Sequence, residues 1–233
     1  MSTPRYFLRQ NVFICQTDRS LIILDVAADK YLCTSASEFH SLGPWLSGWP
    51  EYSCDSNAPP PKVANLASAL IHRGILCETP VGGKDVRPIN STAVTDSLDV
   101  SHSKVKALDA IAFVLSCIRA DFMLRRCDFD QIVEAVHARQ SRNRSPTDSF
   151  DLGRAATLVG AFQTLRPLYP RPYLCLFDSL ALIEFLRHYS LFPKWTFGVM
   201  TDPFEAHCWV QNGHVVLNDS LERASRYTPI MSV

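Results

Sequence analysis

Short apolar runs separated by turn residues precede any helical pattern in this chain. Val12–Cys15 and Leu21–Asp25 flank a polar turn, and Lys30–Cys33 follows as a third run, so we predict a three-stranded meander. Farther on, Lys62–Arg73 has apolar residues at spacings of three and four, which is typical of an amphipathic helix. Gly74 is suited to end that helix.

Two smaller signals complete the first domain, which we place at residues 1–79. Ser35–Glu38 has the form of a capping box and predicts a short helix that ends near Leu46. Ile75–Cys77 can add a small strand. Strands followed by helices favour a winged-helix-like module, which can serve as a scaffold or dimerisation domain, a peptide binder or a DNA binder. The helix at 62–73 has few basic residues, which makes it a poor DNA reader.

Residues 80–101 are rich in Gly, Pro, Ser and Thr, and we predict a flexible linker there. The second predicted domain, residues 102–233, begins with helical patterns over 103–125, 130–140 and 152–165. In the first of these helices, apolar residues form a broad stripe, the pattern of a helix with one face in the core. The stripe comprises Val105, Leu108, Ile111, Ala112, Leu115, Ile118 and Phe122.

A fourth helix is predicted to begin near Pro172, and strands follow it. Lys194–Met200 alternates as a strand, residues 201–206 form a loop, and His207–Gln211 and His214–Asp219 are strands joined by a turn at Asn212-Gly213. One helix followed by antiparallel strands is the minimal layout of a papain-like core.

Three residues of this region have the chemistry of a thiol protease. Cys175 lies in the first turn of the fourth helix, where the macrodipole stabilises a thiolate. His207 begins one strand and Asp219 ends the next. A thiolate nucleophile, an imidazole base and a carboxylate that fixes the imidazole tautomer are the groups that such catalysis requires. Cys208, next to His207, is expected to point to the opposite face of its strand and to be a poor second nucleophile.

Composition narrows the other possibilities. The 23 basic and 23 acidic residues give no net charge, so we expect no nucleic-acid partner. No secretory signal or membrane-length apolar run is visible, and we expect a cytoplasmic protein without membrane contact. The eight cysteines include no C-x-x-C pair, and the chain has no P-loop. We therefore expect no metal and no cofactor.

The C-terminal motif resembles the transglutaminase-like leader peptidase of lasso peptide biosynthesis. The residues that support the resemblance are Cys175, Ser179-Leu180-Ala181-Leu182, Asp202-Pro203-Phe204, Ala206-His207, Trp209-Val210 and Asn218-Asp219. The resemblance implies that Cys175 is the nucleophile, His207 the base and Asp219 its orienting residue. It also implies hydrolysis of the bond between leader and core, followed by macrolactam formation by an asparagine-synthetase-like, ATP-dependent partner. Cys208 and Gln211 stand where this family often has Ala and Glu.

The N-terminal motif resembles the leader-recognition domain of such systems. The residues are Leu21–Asp25, Asp29–Leu32 and Leu70-Ile71 followed by Gly74–Leu76. The resemblance implies that the leader of the precursor peptide pairs with the third strand and lies against the last helix. The implied contacts are Lys30, Tyr31, Leu32, Cys33, Thr34, Leu66 and Leu70.

The turn at Asn212-Gly213 decides which residue orients His207. A two-residue turn would place His207 opposite Asn218, as in papain, whereas a three-residue bulged loop would bring His207 and Asp219 to one face. Because the resemblance favours Asp219, we predict the bulged turn or an equivalent one-residue offset.

The fold expected from these observations is α+β, with a winged-helix-like recognition domain before a transglutaminase-like or papain-like cysteine protease domain. Two other functions remain open: a catalytically silent chaperone that presents the precursor peptide, and a transamidating enzyme.

Overall fold

The computed structural model describes residues 6–17, 20–35, 37, 41–49, 58–86, 93–100, 104–143 and 150–233. The chain divides into two compact units, Met1–Asn90 and Ser91–Val233. Helices and mostly antiparallel strands occur together, which confirms the predicted α+β class. The division between the units falls inside the predicted linker.

The predicted meander is present in the first unit. Strands β2 (Val12–Gln16), β3 (Ser20–Asp25) and β4 (Lys30–Ser35) pair in that order, after β1 (Phe7–Arg9). Helix α1 (Pro61–His72) follows, and after its C-cap residue Arg73 comes Gly74, whose φ of +74° suits a residue without a side chain. The predicted capping box includes Ala36 and Glu38, which lie outside the described residues, and the helical turn before Leu46 is a short 3-10 helix.

The predicted small strand at Ile75–Cys77 is present as β5 (Leu76–Cys77), in a second sheet that we did not predict. Strands β5 and β6 (Gly83–Lys84) pair on either side of β1. The two residues of β6 are too few to show an alternating pattern, and only long-range pairing makes them a strand. Because β6 belongs to this sheet, residues 83–84 do not behave as a flexible linker.

The second unit is built around one helix. Its helices are α2 (Ala107–Arg126), α3 (Phe129–Asn143), α4 (Leu152–Leu165), α5 (Cys175–Arg187) and the short α6 (Leu221–Ala224). Helix α5 packs against α2 and α4 and against the sheet, so residues 179–186 are all buried. Among the described residues, no helix combines the length and apolar character needed to cross a bilayer. The central position of α5 fixes where its first residue, Cys175, lies.

Helix α2 buries a different face from the one expected. The buried residues are Asp109, Ala112, Phe113, Ser116, Cys117, Ala120 and Met123. Of the predicted stripe, Leu108, Ile111, Leu115, Ile118 and Phe122 are exposed instead. Ala112, Ser116, Cys117 and Ala120 on this face are small and leave room for the bulky side chains of α5, while Phe113 packs edge-on against Phe162 of α4. Its polar groups are satisfied, since Asp109 accepts from the Tyr189 hydroxyl at 2.6 Å and Ser116 donates to the Ala112 carbonyl at 2.7 Å.

The second unit has a five-stranded sheet in the order β11-β8-β9-β10-β7. The strands are β7 (Asp96–Ser97), β8 (Lys194–Thr201), β9 (Phe204–Asn212), β10 (Val215–Val216) and β11 (Thr228–Ser232). Strand β7 lies in the predicted linker and pairs in parallel with β10, so residues 96–97 are also part of a folded unit. The predicted loop at 201–206 is wrong, because β8 and β9 form a hairpin in which Thr201 pairs with Phe204.

Candidate active site

Cys175 is the first residue of α5. The preceding residue, Leu174, has extended backbone angles, and its carbonyl accepts the first helical hydrogen bond, from the Asp178 amide at 2.9 Å. The first amides of a helix have no partner within the helix, and they form its positive end. The thiol of Cys175 is half-buried at this end. This placement agrees with the prediction that Cys175 lies in the first turn.

An ion pair that we did not predict fixes the chain segment that precedes Cys175. Arg166 is only 4% exposed and pairs with the Asp178 carboxylate. Its guanidinium also donates to the carbonyls of Tyr169, Arg171 and Pro172 at 3.3, 3.1 and 3.0 Å. The second oxygen of Asp178 accepts from the Leu174 amide at 2.9 Å. Arg166 directly follows α4, and no pattern in the sequence around it indicates this ion pair. Asp178, in contrast, is recognisable from the sequence as an acidic residue near the start of α5.

His207 lies on β9 with its imidazole enclosed by aromatic rings. Its Nε2 lies 2.5 Å from Oδ2 of Asp219. The ring stacks on Trp209 and tilts against Tyr227, with centroids 6.0 and 5.0 Å away. Gly198 is the cross-strand partner of His207, and a β-carbon there would come within 2.9 Å of the Trp209 ring. A residue without a side chain therefore makes room for this aromatic packing.

Gln211 supports Trp209 from the end of β9. Its side-chain oxygen accepts from the Trp209 indole at 2.6 Å, and its nitrogen donates to the Gly213 carbonyl at 2.9 Å. A carboxylate can accept but not donate. The amide is therefore suited to this position, where the lasso peptidases that the sequence resembles often have Glu.

Neither turn anticipated at Asn212-Gly213 is formed. Asn212 pairs with Val215 and Gln211 with Val216, so the turn residues are Gly213 and His214. Gly213 has a φ of +58°, a conformation that glycine adopts without strain. The predicted bulged loop is therefore wrong. Strand β10 ends at Val216, so Asp219 is not paired in the sheet. The bend after β10 brings its carboxylate to His207.

Asn218 has a different set of partners. Its side-chain oxygen accepts from the Val210 amide at 2.7 Å, and its nitrogen donates to the Ser179 hydroxyl at 3.0 Å. Ser179 in turn donates to the Cys208 carbonyl at 3.3 Å. Asn218 thus ties α5 to β9, and Asp219 is the residue bonded to His207.

Cys208 points to the face of β9 opposite His207, as the alternation of a strand requires. That face is the one covered by α5, so the Cys208 thiol lies within hydrogen-bonding reach of Cys175 and 4.0 Å from the Ser179 hydroxyl. The sequence pattern correctly set Cys208 apart from His207. It did not show that the helix beginning with Cys175 would cover the Cys208 face.

Hydrogen bonds determine the charge state of this cluster. Bonds from the Cys208 thiol and from His207 lower the pKa of Cys175 from 9.0 to about 4. Burial lowers the pKa of His207, but bonds to Asp219 and Cys175 outweigh it and raise that pKa to about 9. Burial opposes ionisation of Asp219 as well, yet its bond to His207 lowers the pKa. Burial raises the pKa of Cys208 well above the ordinary value, so this thiol stays protonated.

Between these two pKa values, Cys175 is a thiolate and His207 an imidazolium. Because His207 uses Nε2 for Asp219, Nδ1 is the nitrogen that faces the thiol. The arrangement can attack a carbonyl carbon and then supply a proton to a leaving group. No cluster of three His, Cys, Asp or Glu residues within the described ranges is arranged to hold a metal ion.

The residues implied to bind a peptide all lie in the first unit. Lys30 and Cys33 are exposed on β4, an edge strand in its sheet order. Tyr31, Leu32 and Thr34 are partly buried. On α1, Leu70 is buried, while Leu66 is half-buried and packs against the same core as Leu32.

Comparison with known proteins gives one match. A family model described as transglutaminase-like superfamily matches residues 114–232, just over half of the chain, and this range contains Cys175, His207 and Asp219. No curated protein and no solved structure matches.

The pH dependence of alkylation tests the thiolate. We expect iodoacetamide to modify Cys175 at a rate that stays high from pH 8 down to about pH 5 and falls near its pKa of about 4. Peptide-resolved mass spectrometry separates this rate from that of the exposed Cys33. Cys33 is the internal control for exposure to the reagent. A Cys175 rate that rises only near pH 8.5, at about the value of an ordinary free thiol, would contradict the ion pair.

Substitutions at Asp219 and Asn218 distinguish the residue that orients His207 from the one that stabilises the fold. Asp219→Asn removes the carboxylate that stabilises imidazolium, so we expect the pKa of Cys175, measured by alkylation, to rise by at least about one unit. Asn218→Ala removes bonds between α5 and β9, and we expect it to lower the free energy of unfolding by about 1–3 kcal/mol while the Cys175 pKa changes less. The reverse pattern would make Asn218 the orienting residue.

Proposed function

Because the chain belongs to the transglutaminase-like superfamily, we propose that it is a cysteine endopeptidase that removes the leader from a ribosomally made lasso precursor peptide. Members of this superfamily are typically cysteine proteases or acyltransferases. The observation that carries the proposal is the contact of Cys175, at the start of α5, with a His207 that is bonded to Asp219. The resemblance of the surrounding motif supplies the lasso precursor as substrate.

The proposed reaction has two steps. The Cys175 thiolate attacks the carbonyl carbon at the leader–core junction and forms a C–S bond, while the first amides of α5 stabilise the oxyanion. The C–N bond breaks as His207 donates its proton to the leaving amine. Neutral His207 then takes a proton from water as the oxygen attacks the thioester. The products are the leader carboxylate, the regenerated thiolate and a core peptide with a free amino terminus.

The first unit is proposed to bind the leader as a winged-helix-like recognition domain. The resemblance of the N-terminal motif supports addition of the leader as a further strand along Lys30–Thr34 of β4. Leu66 of α1 would contact apolar leader side chains, and the predicted contact of Leu70 is limited by its burial in the core. The freed amine of the core is the nucleophile that an asparagine-synthetase-like, ATP-dependent lactam synthetase would close onto an acidic side chain.

Substitution of the nucleophile tests the activity. With a lasso precursor peptide, a lactam synthetase and ATP, we expect Cys175→Ala to abolish leader removal, a loss of at least about 1000-fold. Leader affinity, measured by fluorescence anisotropy, should stay unchanged. Cys127→Ala, at another partly exposed cysteine, is the matched control and should cleave normally.

Undiminished cleavage by Cys175→Ala would contradict the proposal. If the wild-type protein binds the leader but never cleaves it under these conditions, it is a peptide chaperone. Incorporation of an added amine at the leader carboxyl group, detected by mass, would instead identify a transamidating enzyme.

Substitution on α1 tests the recognition domain. Leu66→Ala removes apolar surface beside β4, so we expect the leader dissociation constant to rise about tenfold. The rate of Cys175 alkylation should not change. Val81→Ala is the control, since Val81 is an apolar residue of the same unit that is 87% exposed. Equal leader affinity in both variants would remove α1 from the proposed binding site.

A further inference from the structure

Helix α2 presents an apolar stripe to solvent. Leu108, Ile111, Leu115, Ile118 and Phe122 are each more than half exposed, at 73, 57, 53, 54 and 60%. We refer to these five residues as the α2 stripe. Most large apolar side chains in the described structure are buried, and a contiguous exposed set of this kind marks an interaction surface.

The spacing within the α2 stripe suits a second helix. Its members are separated by three, four, three and four residues, which is the spacing of the seam of a coiled coil. At 1.5 Å per residue the seam is about 21 Å long, or two heptads. The opposite face of α2 packs on α5, so the stripe is held on a rigid support.

Cationic side chains border the α2 stripe. Lys104 and Lys106 are exposed before its first residue, and Arg125 and Arg126 are exposed after its last. The two acidic residues of α2 are already engaged: Asp109 is buried and bonded to Tyr189, and Asp121 pairs with Arg125 and Arg171. Asp121 therefore compensates Arg125, whereas Lys104, Lys106 and Arg126 have no complementary negative charge on α2.

An arginine cluster extends this positive border along one side. Arg119, next to Ile118, contacts Glu184 at 2.8 Å, and Arg139 and Arg187 contact the same carboxylate at 2.5 and 3.1 Å. Glu184 is only 1% exposed, whereas the three arginines keep 43, 27 and 34% of their side chains exposed. Arg119 and Arg187 share one oxygen of this carboxylate, and a single negative charge balances only one of these two guanidinium groups.

We propose that the α2 stripe docks an amphipathic helix of another protein, one with an apolar seam and acidic flanking residues. A second copy of this chain fits poorly. Antiparallel pairing of two α2 helices would set Lys104 and Lys106 against Arg125 and Arg126, and parallel pairing would set each cation against itself. The docking is independent of Cys175 and goes beyond the proposed peptidase function.

Designed peptides provide the probe. We would measure binding of two fluorescein-labelled helical peptides of three heptads, both with Ile and Leu at the seam positions, one with Glu and the other with Lys at the flanking positions. Full-length protein should bind the Glu peptide with a dissociation constant in the micromolar range, and binding should weaken as salt increases. The Lys peptide should bind at least about tenfold more weakly.

Variants locate the binding to the stripe. Ile111→Ser and Ile118→Ser should each raise the dissociation constant of the Glu peptide about tenfold. Lys104→Gln combined with Arg126→Gln should reduce the salt dependence. Leu152→Ser and Val81→Ser, at exposed apolar residues outside the stripe, are the matched controls. Circular dichroism and an unchanged Cys175 alkylation rate verify that each variant is folded.

Several outcomes would overturn the proposal. They are equal binding of the two peptides, no binding of the Glu peptide, or equal affinity in the stripe variants and the controls. Sedimentation that shows a dimer dissolved by Ile118→Ser would assign the stripe to self-association. Flotation with anionic phosphatidylserine vesicles, lost in the same variant and without Glu-peptide binding, would assign it to a membrane surface. Because no step requires cleavage, failure here leaves the peptidase proposal untouched.

Discussion

The burial of helix α5 on all sides is the constraint on which the candidate site depends. Its residues from Ser179 to Leu186 are packed between α2 and α4 on one side and β9 on the other, so the helix cannot shift without opening the core of the second unit. A helix held in this way presents its first amides, and the thiol of Cys175, at a defined point beside β9. The reactive group is thus positioned by apolar packing some distance away from it.

Electrostatic interactions then set the chemical state of that thiol. Cys175 receives hydrogen bonds from Cys208 and His207. The His207 imidazolium is stabilised by its hydrogen bonds to Asp219 and Cys175. The buried pair of Arg166 and Asp178 holds the loop before the helix through main-chain carbonyls. These contacts come from four separate segments of the second unit. The site is therefore sensitive to the fold of the unit as a whole, although only a few of its groups take part in the chemistry.

In helix α2, the face with the most regular apolar spacing is not the face that is buried. Its most regular apolar residues, Leu108, Ile111, Leu115, Ile118 and Phe122, face solvent. The buried face contains four small residues, Ala112, Ser116, Cys117 and Ala120, and its polar groups Asp109 and Ser116 are satisfied by hydrogen bonds. Close packing against a bulky helix favours small side chains, whereas a seam of Leu and Ile fits another helix of the same kind. The regular spacing of these exposed apolar residues is therefore better explained by packing against a partner helix than by packing in the core of this chain.

The sequence by itself determined the local features: the meander from Val12 to Ser35, the start of α5 near Cys175, and a thiol, an imidazole and a carboxylate in the order of a cysteine protease. These features follow from short-range rules of periodicity, capping and residue chemistry. Only the tertiary structure decided the rest. It placed the turn at Gly213-His214, joined β1 to β5 and β6, brought Arg166 to Asp178, and chose which face of α2 is buried. Each of these depends on segments far apart in the chain, and a local pattern does not contain the shape and volume of the surface that will pack against it.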